Sequence, residues 1–134
     1  MARRRRITPS RDRTIDNLSV VIDELTEYVA DINARVARNL IRDLRDSTPV
    51  DTGHAASNWI GNIGAPYGGV AGSKSSVDFG PQNRSLISLA AQNKTLRNVF
   101  ITNNVEYIGI LNTGWSKKAP SGFIQRAISR ARAT

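Results

Sequence analysis

Residues 14–47, TIDNLSVVIDELTEYVADINARVARNLIRDLRDS, decide the fold. Ile15, Leu18, Ile22, Leu25, Val29, Ile32, Val36, Leu40 and Leu44 recur at steps of three and four, drawing one continuous apolar stripe along an α-helix. No Gly or Pro interrupts the pattern. Pro49 ends it, because the residue before a proline avoids the α region. Such a helix is roughly 50 Å long, which is long for a chain of 134 residues. It must pack across a sheet or reach beyond its own subunit.

The polar face of this helix is divided by charge. Asp16, Asp23, Glu24, Glu27 and Asp31 lie in the first half, and Arg35, Arg38, Arg42 and Arg45 in the second. Acids early and bases late complement the helix dipole, and Asp31 with Arg35 makes an i,i+4 pair, so helix stability alone accounts for the division. The sharper alternative makes the four arginines an interface, meeting the acidic half of a neighbouring copy in a ring.

Downstream of Pro49, Asp51 is placed to cap a short helical turn through Ser57, and Trp59-Ile60 begins a strand. Residues 61–83 are rich in Gly, Ser, Pro and Asn and read as a long flexible loop, with Val70 and Val77 on weak hairpin strands. Ser85 to Asn93 reads as a short helix and Val99 to Thr102 as the clearest strand. Asn103-Asn104 turns the chain, Tyr107 to Leu111 forms a short helix, and Gly114 ends it. Pro120 or Ser121 opens a last amphipathic helix with Phe123, Ile124, Ala127, Ile128 and Ala131 inward. The expected fold is α+β, with the long N-terminal helix packed on a small antiparallel sheet, short helices and a C-terminal amphipathic helix. Residues 14–134 form one domain in this reading, preceded by a basic arm at 1–13.

Charge and composition narrow the function classes. The net charge is +8, and it is terminal: residues 1–13 carry +5 and residues 107–134 another +5, whereas the middle is slightly acidic. Arg3, Arg4, Arg5 and Arg6 are therefore candidates for contact with DNA or an acidic protein partner. A solvated tail is the plainer alternative. The chain contains no cysteine and a single histidine, His54, which excludes thiolate chemistry and a multi-histidine metal site within one subunit. No apolar run reaches the ~20 residues that span a bilayer, and no apolar segment follows the first arginines as a secretory signal requires. No cofactor and no membrane contact are expected. Among the few aromatic residues, Phe100 and Phe123 are expected in the core. Trp115, in the polar GWSKKAP stretch with Lys117 and Lys118, is a candidate partner contact, the alternative being a Trp lying on its own domain.

Asp51-Thr52-Gly53 spells the tripeptide at which aspartic proteases hold a catalytic carboxylate. That chemistry needs two carboxylates sharing a proton, on tight turns of an almost all-β fold. Here the tripeptide follows a long helix, and its echo at 112–114 carries Asn112, which cannot titrate. A dimeric protease is thus the least favoured reading. Asp51, His54 and Ser57 lie within seven residues of one another, and a hydrolytic triad needs groups converging from separate elements. A capping Asp, a surface His and a small packing Ser are expected instead, and no catalytic residue is assigned. A basic, nonspecific DNA-binding protein remains the main alternative function. No recognition-helix, OB-fold or zinc pattern supports sequence-specific binding.

Two segments carry a resemblance. STPVDTGHAASNW (47–59) resembles the T-P-V-D-T-G…S-W signature of tailed-phage tail-completion proteins, also described as head–tail joining, neck or minor tail components, with lambda-type protein Z among the relatives. VFITNNVEYIGILNTGWSKKAPSGFIQRAI (99–128) is similar to that family's strand, Asn-Asn turn, short helix, glycine and entry into a final helix. The resemblance implies that Pro49, Asp51, Thr52 and Gly53 form a structural corner turning the chain from long helix to sheet. It implies a non-enzymatic virion protein, assembled in the host cytoplasm. Identical subunits would form a ring at the neck, sixfold to match a tail or twelvefold to match a portal, around the DNA channel. Head–tail adaptor or portal proteins would lie on one side and tail tube or tail terminator proteins on the other. His54 stands where many relatives carry a basic residue, Asn112 where they carry an acid, and the four-arginine start lies outside the shared pattern.

Overall fold

The computed structural model describes residues 2–50, 53–73, 77–91, 97–114 and 121–133, and of 2–12 only the helical backbone. Helix α1 spans Ala2–Ser47, 46 residues, or roughly 70 Å. The helix begins upstream of Thr14, and the basic segment set apart as an arm continues the same helical backbone. Then follow α2 (His54–Ser57), β1 (Ile60–Ile63), α3 (Gly80–Ala90), β2 (Val99–Thr102), α4 (Ile108–Asn112) and α5 (Phe123–Ala133). Strands β1 and β2 pair antiparallel, Ile60 opposite Thr102 and Ile63 opposite Val99. The fold is α+β, a long helix against a small antiparallel sheet with short helices and a closing amphipathic helix. No helix among the described residues is long and apolar enough to cross a membrane.

The apolar stripe of α1 divides in two. The face packed on the domain is Ala30, Ala34, Ala37, Ile41, Leu44 and Thr48, all buried. Ile15, Leu18, Ile22, Leu25 and Val29, expected on that same face, are exposed. They lie about one residue, or roughly 100°, around the helix from it. Alanine carries little weight in a hydrophobic pattern, yet it lets neighbouring elements approach a helix closely. Hence the packing face is the inconspicuous one. Phe123 and Ala127 of α5 join Ala37, Ile41 and Leu44 of α1 with Trp59 and Leu89 in the core. Fully burying a side chain such as Ile41 contributes about 1.5–3 kcal/mol. Gly61 of β1 belongs to this packing, because a Cβ there would sit 2.8 Å from Ile41 Cδ1 and 3.0 Å from Leu89 Cδ1.

Several expectations change in detail. Helix α3 begins at Gly80 rather than Ser85: the Asp78 carboxylate accepts the Gly80 N–H at 2.9 Å, and Pro81 occupies the first turn, where its missing N–H costs nothing. The loop expected to reach residue 83 therefore ends earlier, and Val70 and Val77 lie outside any strand. Phe100 is half-buried rather than central, since its strand has β1 as its only sheet neighbour among the described residues. Ile128 is exposed, because the buried line of α5 runs through Phe123, Ala127 and Ala131. Helix α4 ends as expected, with Gly114 at φ 88° and the Gly122 N–H donating to the Asn112 carbonyl at 2.8 Å.

One ion pair ties α5 to α1. Arg130 donates to both carboxylate oxygens of Asp43, from Nε at 2.7 Å and Nη2 at 2.9 Å. Ser47 adds a hydroxyl bond to the same carboxylate at 3.2 Å. The hydrogen bond from Arg130 holds the Asp43 carboxyl below its ordinary value of 3.8, against the opposing push of partial burial. A depressed carboxylate stabilises the fold above its unfolded-state pKa and loses that contribution as pH falls through its folded-state value. Asp43→Asn should therefore lower the melting temperature modestly at neutral pH. The gap from wild type should close below the ordinary carboxylate range, as thermal melts across a pH series will show. A gap that persists unchanged at low pH would remove the ion pair as its cause.

Candidate functional site

The corner that follows α1 is built by hydrogen bonds that stop one element and start the next. Thr48 donates both its amide (3.0 Å) and its hydroxyl (2.5 Å) to the Leu44 carbonyl, one of the carbonyls the helix end leaves open. The same hydroxyl accepts the indole N–H of Trp59 at 2.7 Å. Trp59, only 6% exposed, thus clamps the end of α1 to the start of β1. Pro49 follows at once and prevents continuation of the helix.

Gly53 is the N-cap of α2, at φ 80° and ψ 0°. The N-cap position itself thus falls on a residue with no side chain. Asp51 and Thr52, and with them the capping bond expected from Asp51, lie outside the described residues. A Cβ on Gly53 would overlap Val77 Cγ2, so the position requires glycine for its backbone angle and for its space.

Every residue of α2 is buried, which corrects the expectation of a surface His54. The Ser57 hydroxyl donates to the His54 carbonyl at 3.0 Å, so it is committed to the backbone of its own turn. Small Ala55, Ala56 and Ser57 let the turn sink between α1 and the chain that follows. Two polar side chains absent from the sequence reading complete the corner. Asn58, 1% exposed, donates to the carbonyls of His54 (2.8 Å) and Ala71 (3.2 Å) and accepts the Ala71 N–H at 2.8 Å. It reads the backbone of residue 71 as a neighbouring strand would. Gln82, fully buried, donates to the carbonyls of Ala56 (3.2 Å) and Trp59 (3.0 Å). Asn58→Ala strands the Ala71 N–H and carbonyl in the interior. It should cost about 2 kcal/mol or more, read as a lower urea midpoint. Asn58→Asp should fare no better, since a carboxylate cannot donate to the two carbonyls. A midpoint unchanged by either substitution would show that water replaces these bonds.

The two motif segments meet at this corner. Asn103 donates to the Ala55 carbonyl at 2.9 Å and accepts the Val105 N–H at 3.1 Å. Asn104 donates to the carbonyls of Tyr67 (2.7 Å) and Gly69 (2.9 Å). Asn112 accepts the Ile124 N–H at 3.0 Å, capping the first turn of α5, and donates to Gln125 at 2.8 Å. A pocket of about 380 Å³, with His54, Asn104 and Tyr107 in its lining, lies beside the corner. No group of three or more His, Cys, Asp or Glu suited to a metal occurs among the described residues.

The remaining candidates sit apart. Arg35 pairs with Asp31 of its own helix at 2.9 Å. Arg45 pairs with Asp46 at 3.2 Å and lies over the Phe79 ring, 5.9 Å from its centre. Arg42 is exposed; Arg38 is half-buried, with Nη1 enclosed and without a hydrogen-bond partner. Trp115, Lys117 and Lys118 lie outside the described residues, and Arg3 to Arg6 are described only as helical backbone.

A wide open groove lies elsewhere. Val29, Ile32, Asn33 and Val36 of α1 face Gly64 and residues Arg97–Phe100 across a groove of about 1010 Å³. The Asn33 amide spans it, donating to the Arg97 carbonyl at 3.2 Å. The groove continues upstream into the exposed apolar face of α1. No protein-family model, no curated protein and no solved structure matches the chain.

Proposed function

We propose that the chain is a structural subunit of a tailed-phage neck, forming a ring that joins head to tail around the DNA channel. The observation that carries this reading is the bare half of α1. From Ile15 to Val29 the helix leaves its own domain with its large apolar side chains exposed, as suits a subunit whose surface is finished by assembly. The meeting of the 47–59 and 99–128 segments at one corner, through Asn103 and Ala55, supports the resemblance that suggested the role. In this proposal the corner is architecture, and no residue is assigned to catalysis. The ring is sixfold against a tail, or twelvefold against a portal. Its neighbours are adaptor or portal proteins above and tail tube or terminator proteins below, in the virion. The basic segment at 2–13 and the late basic residues are placed against genomic DNA or an acidic neighbour.

The test is removal of the coding sequence from its parent genome. DNA-filled heads and separate tails should accumulate, and supplying the chain in trans should restore joined particles. Normally joined particles without the chain would overturn the proposal. The second reading, a nonspecific DNA-binding protein, is favoured by the +8 net charge. It requires duplex binding by the isolated chain that weakens with salt by a slope of about −0.9 per neutralised phosphate, and no joining defect.

A further inference from the structure

The exposed half of α1 carries a second regularity, distinct from the face packed on its own domain. Ile15, Ile22, Val29 and Val36 are spaced by seven, and Leu18, Leu25 and Ile32 each follow three residues later. Exposure runs from 37% at Ile32 to 60% at Ile22, and Val36 is half-buried at the groove. The first set occupies heptad position a and the second position d. A repeat of 3.5 rather than 3.6 residues keeps such a seam against a partner helix along its whole length.

We propose that this seam is covered by the same seam of a second copy of the chain, parallel and in register. The side-chain shapes select that occupant: β-branched residues at every a position with Leu at the first two d positions favour two parallel strands. Charge selects it too. The flanking e and g positions are Ser19, Thr26 and Asn33 on one side and Val21 and Tyr28 on the other, all uncharged, and the next g residue, Arg35, is already paired with Asp31. The acids Asp16, Asp23, Glu24 and Glu27 fall on the outer positions. From Ile15 to Asn33 identical helices therefore meet without like-charge contacts, and no flanking charge there specifies a different partner. The last turns of the seam open into the groove walled by Val99 and Phe100, so the arriving helix continues onto apolar surface where the domain begins. Parallel pairing gathers both copies of the +5 segment at one end, away from the folded domains. Because the seam is used up within the pair, a ring of this chain would be built from pairs through other surfaces, and the pairing stands whatever the assembled particle joins.

The experiment uses the full chain in solution. Leu18 and Leu25 are exposed in the subunit, so Leu18→Glu/Leu25→Glu should leave the near-UV spectrum of the domain intact while reducing the light-scattering mass to one copy. The chain has no cysteine, so Leu18→Cys introduces a lone thiol. In a parallel pair the two thiols face each other, and mild oxidation should give a covalent dimer. A wild type of single-copy mass at tens of micromolar, or a Glu variant with unchanged mass, would overturn the proposal. So would Leu18→Cys and Val29→Cys chains that link only to each other between copies, the a-to-d contact of antiparallel pairing. Normally joined particles without the chain would sink the neck reading and leave the pairing standing, whereas a single-copy mass sinks the pairing alone, so the two fail separately.

Discussion

Trp59→Ala should remove a large part of the chain's stability. Removing a buried Trp or Phe side chain costs about 3–5 kcal/mol, against the roughly 5–15 kcal/mol by which domains are stable. Trp59 has a further role: its indole N–H donates to Thr48, whose hydroxyl donates in turn to the last turn of α1. The substitution opens a cavity between Ile41, Leu44, Leu89 and Phe123 and frees the helix end together. Trp59→Phe separates the two effects. It keeps most of the ring packing and loses the N–H donor, at about 1 kcal/mol. Urea unfolding followed by far-UV circular dichroism should rank wild type above Trp59→Phe, with Trp59→Ala well below both. A Trp59→Ala protein within 1 kcal/mol of wild type would refute the clamp.

That clamp was half legible in the sequence. Thr48, Pro49 and Trp59 lie in a stretch whose order, helix stop then turn then strand, follows from proline chemistry and apolar pattern. Element types came through because their signals are local: steps of three and four in α1, VFIT for β2, Gly114 after α4. What stayed hidden depends on partners far along the chain. Asn58 looks like any loop asparagine until Ala71 is placed beside it. Gln82 sits in a stretch read as loop, and only the Asp78 turn and Pro81 move it into α3. The choice of packing face on α1 was missed because Ala30, Ala34 and Ala37 are too small to dominate a pattern that Ile, Leu and Val occupy more visibly. The signal for the bare face was present nonetheless. A spacing that alternates strictly between three and four from Ile15 to Val36 marks a seam for another helix, and a face packed on a sheet has no need of it.

Gly53→Ala should be the most damaging single change within the D-T-G tripeptide. The position holds φ 80°, which costs a residue with a side chain about 1–2 kcal/mol, and the added methyl overlaps Val77. Val77 is 47% exposed, so Val77→Ala alone should be close to neutral. In Gly53→Ala/Val77→Ala the overlap is relieved and the backbone strain is not. The double variant should therefore be more stable than Gly53→Ala by more than the single changes predict, yet remain below wild type. The cycle distinguishes architecture from chemistry at this motif. If the corner acts by shape, the double variant should recover assembly in step with its unfolding midpoint, because a better-folded corner is all that assembly needs from it. Recovery of stability without recovery of assembly would mean that the tripeptide touches a partner directly. A Gly53→Ala protein as stable as wild type would show that the chain does not turn at Gly53 in this way.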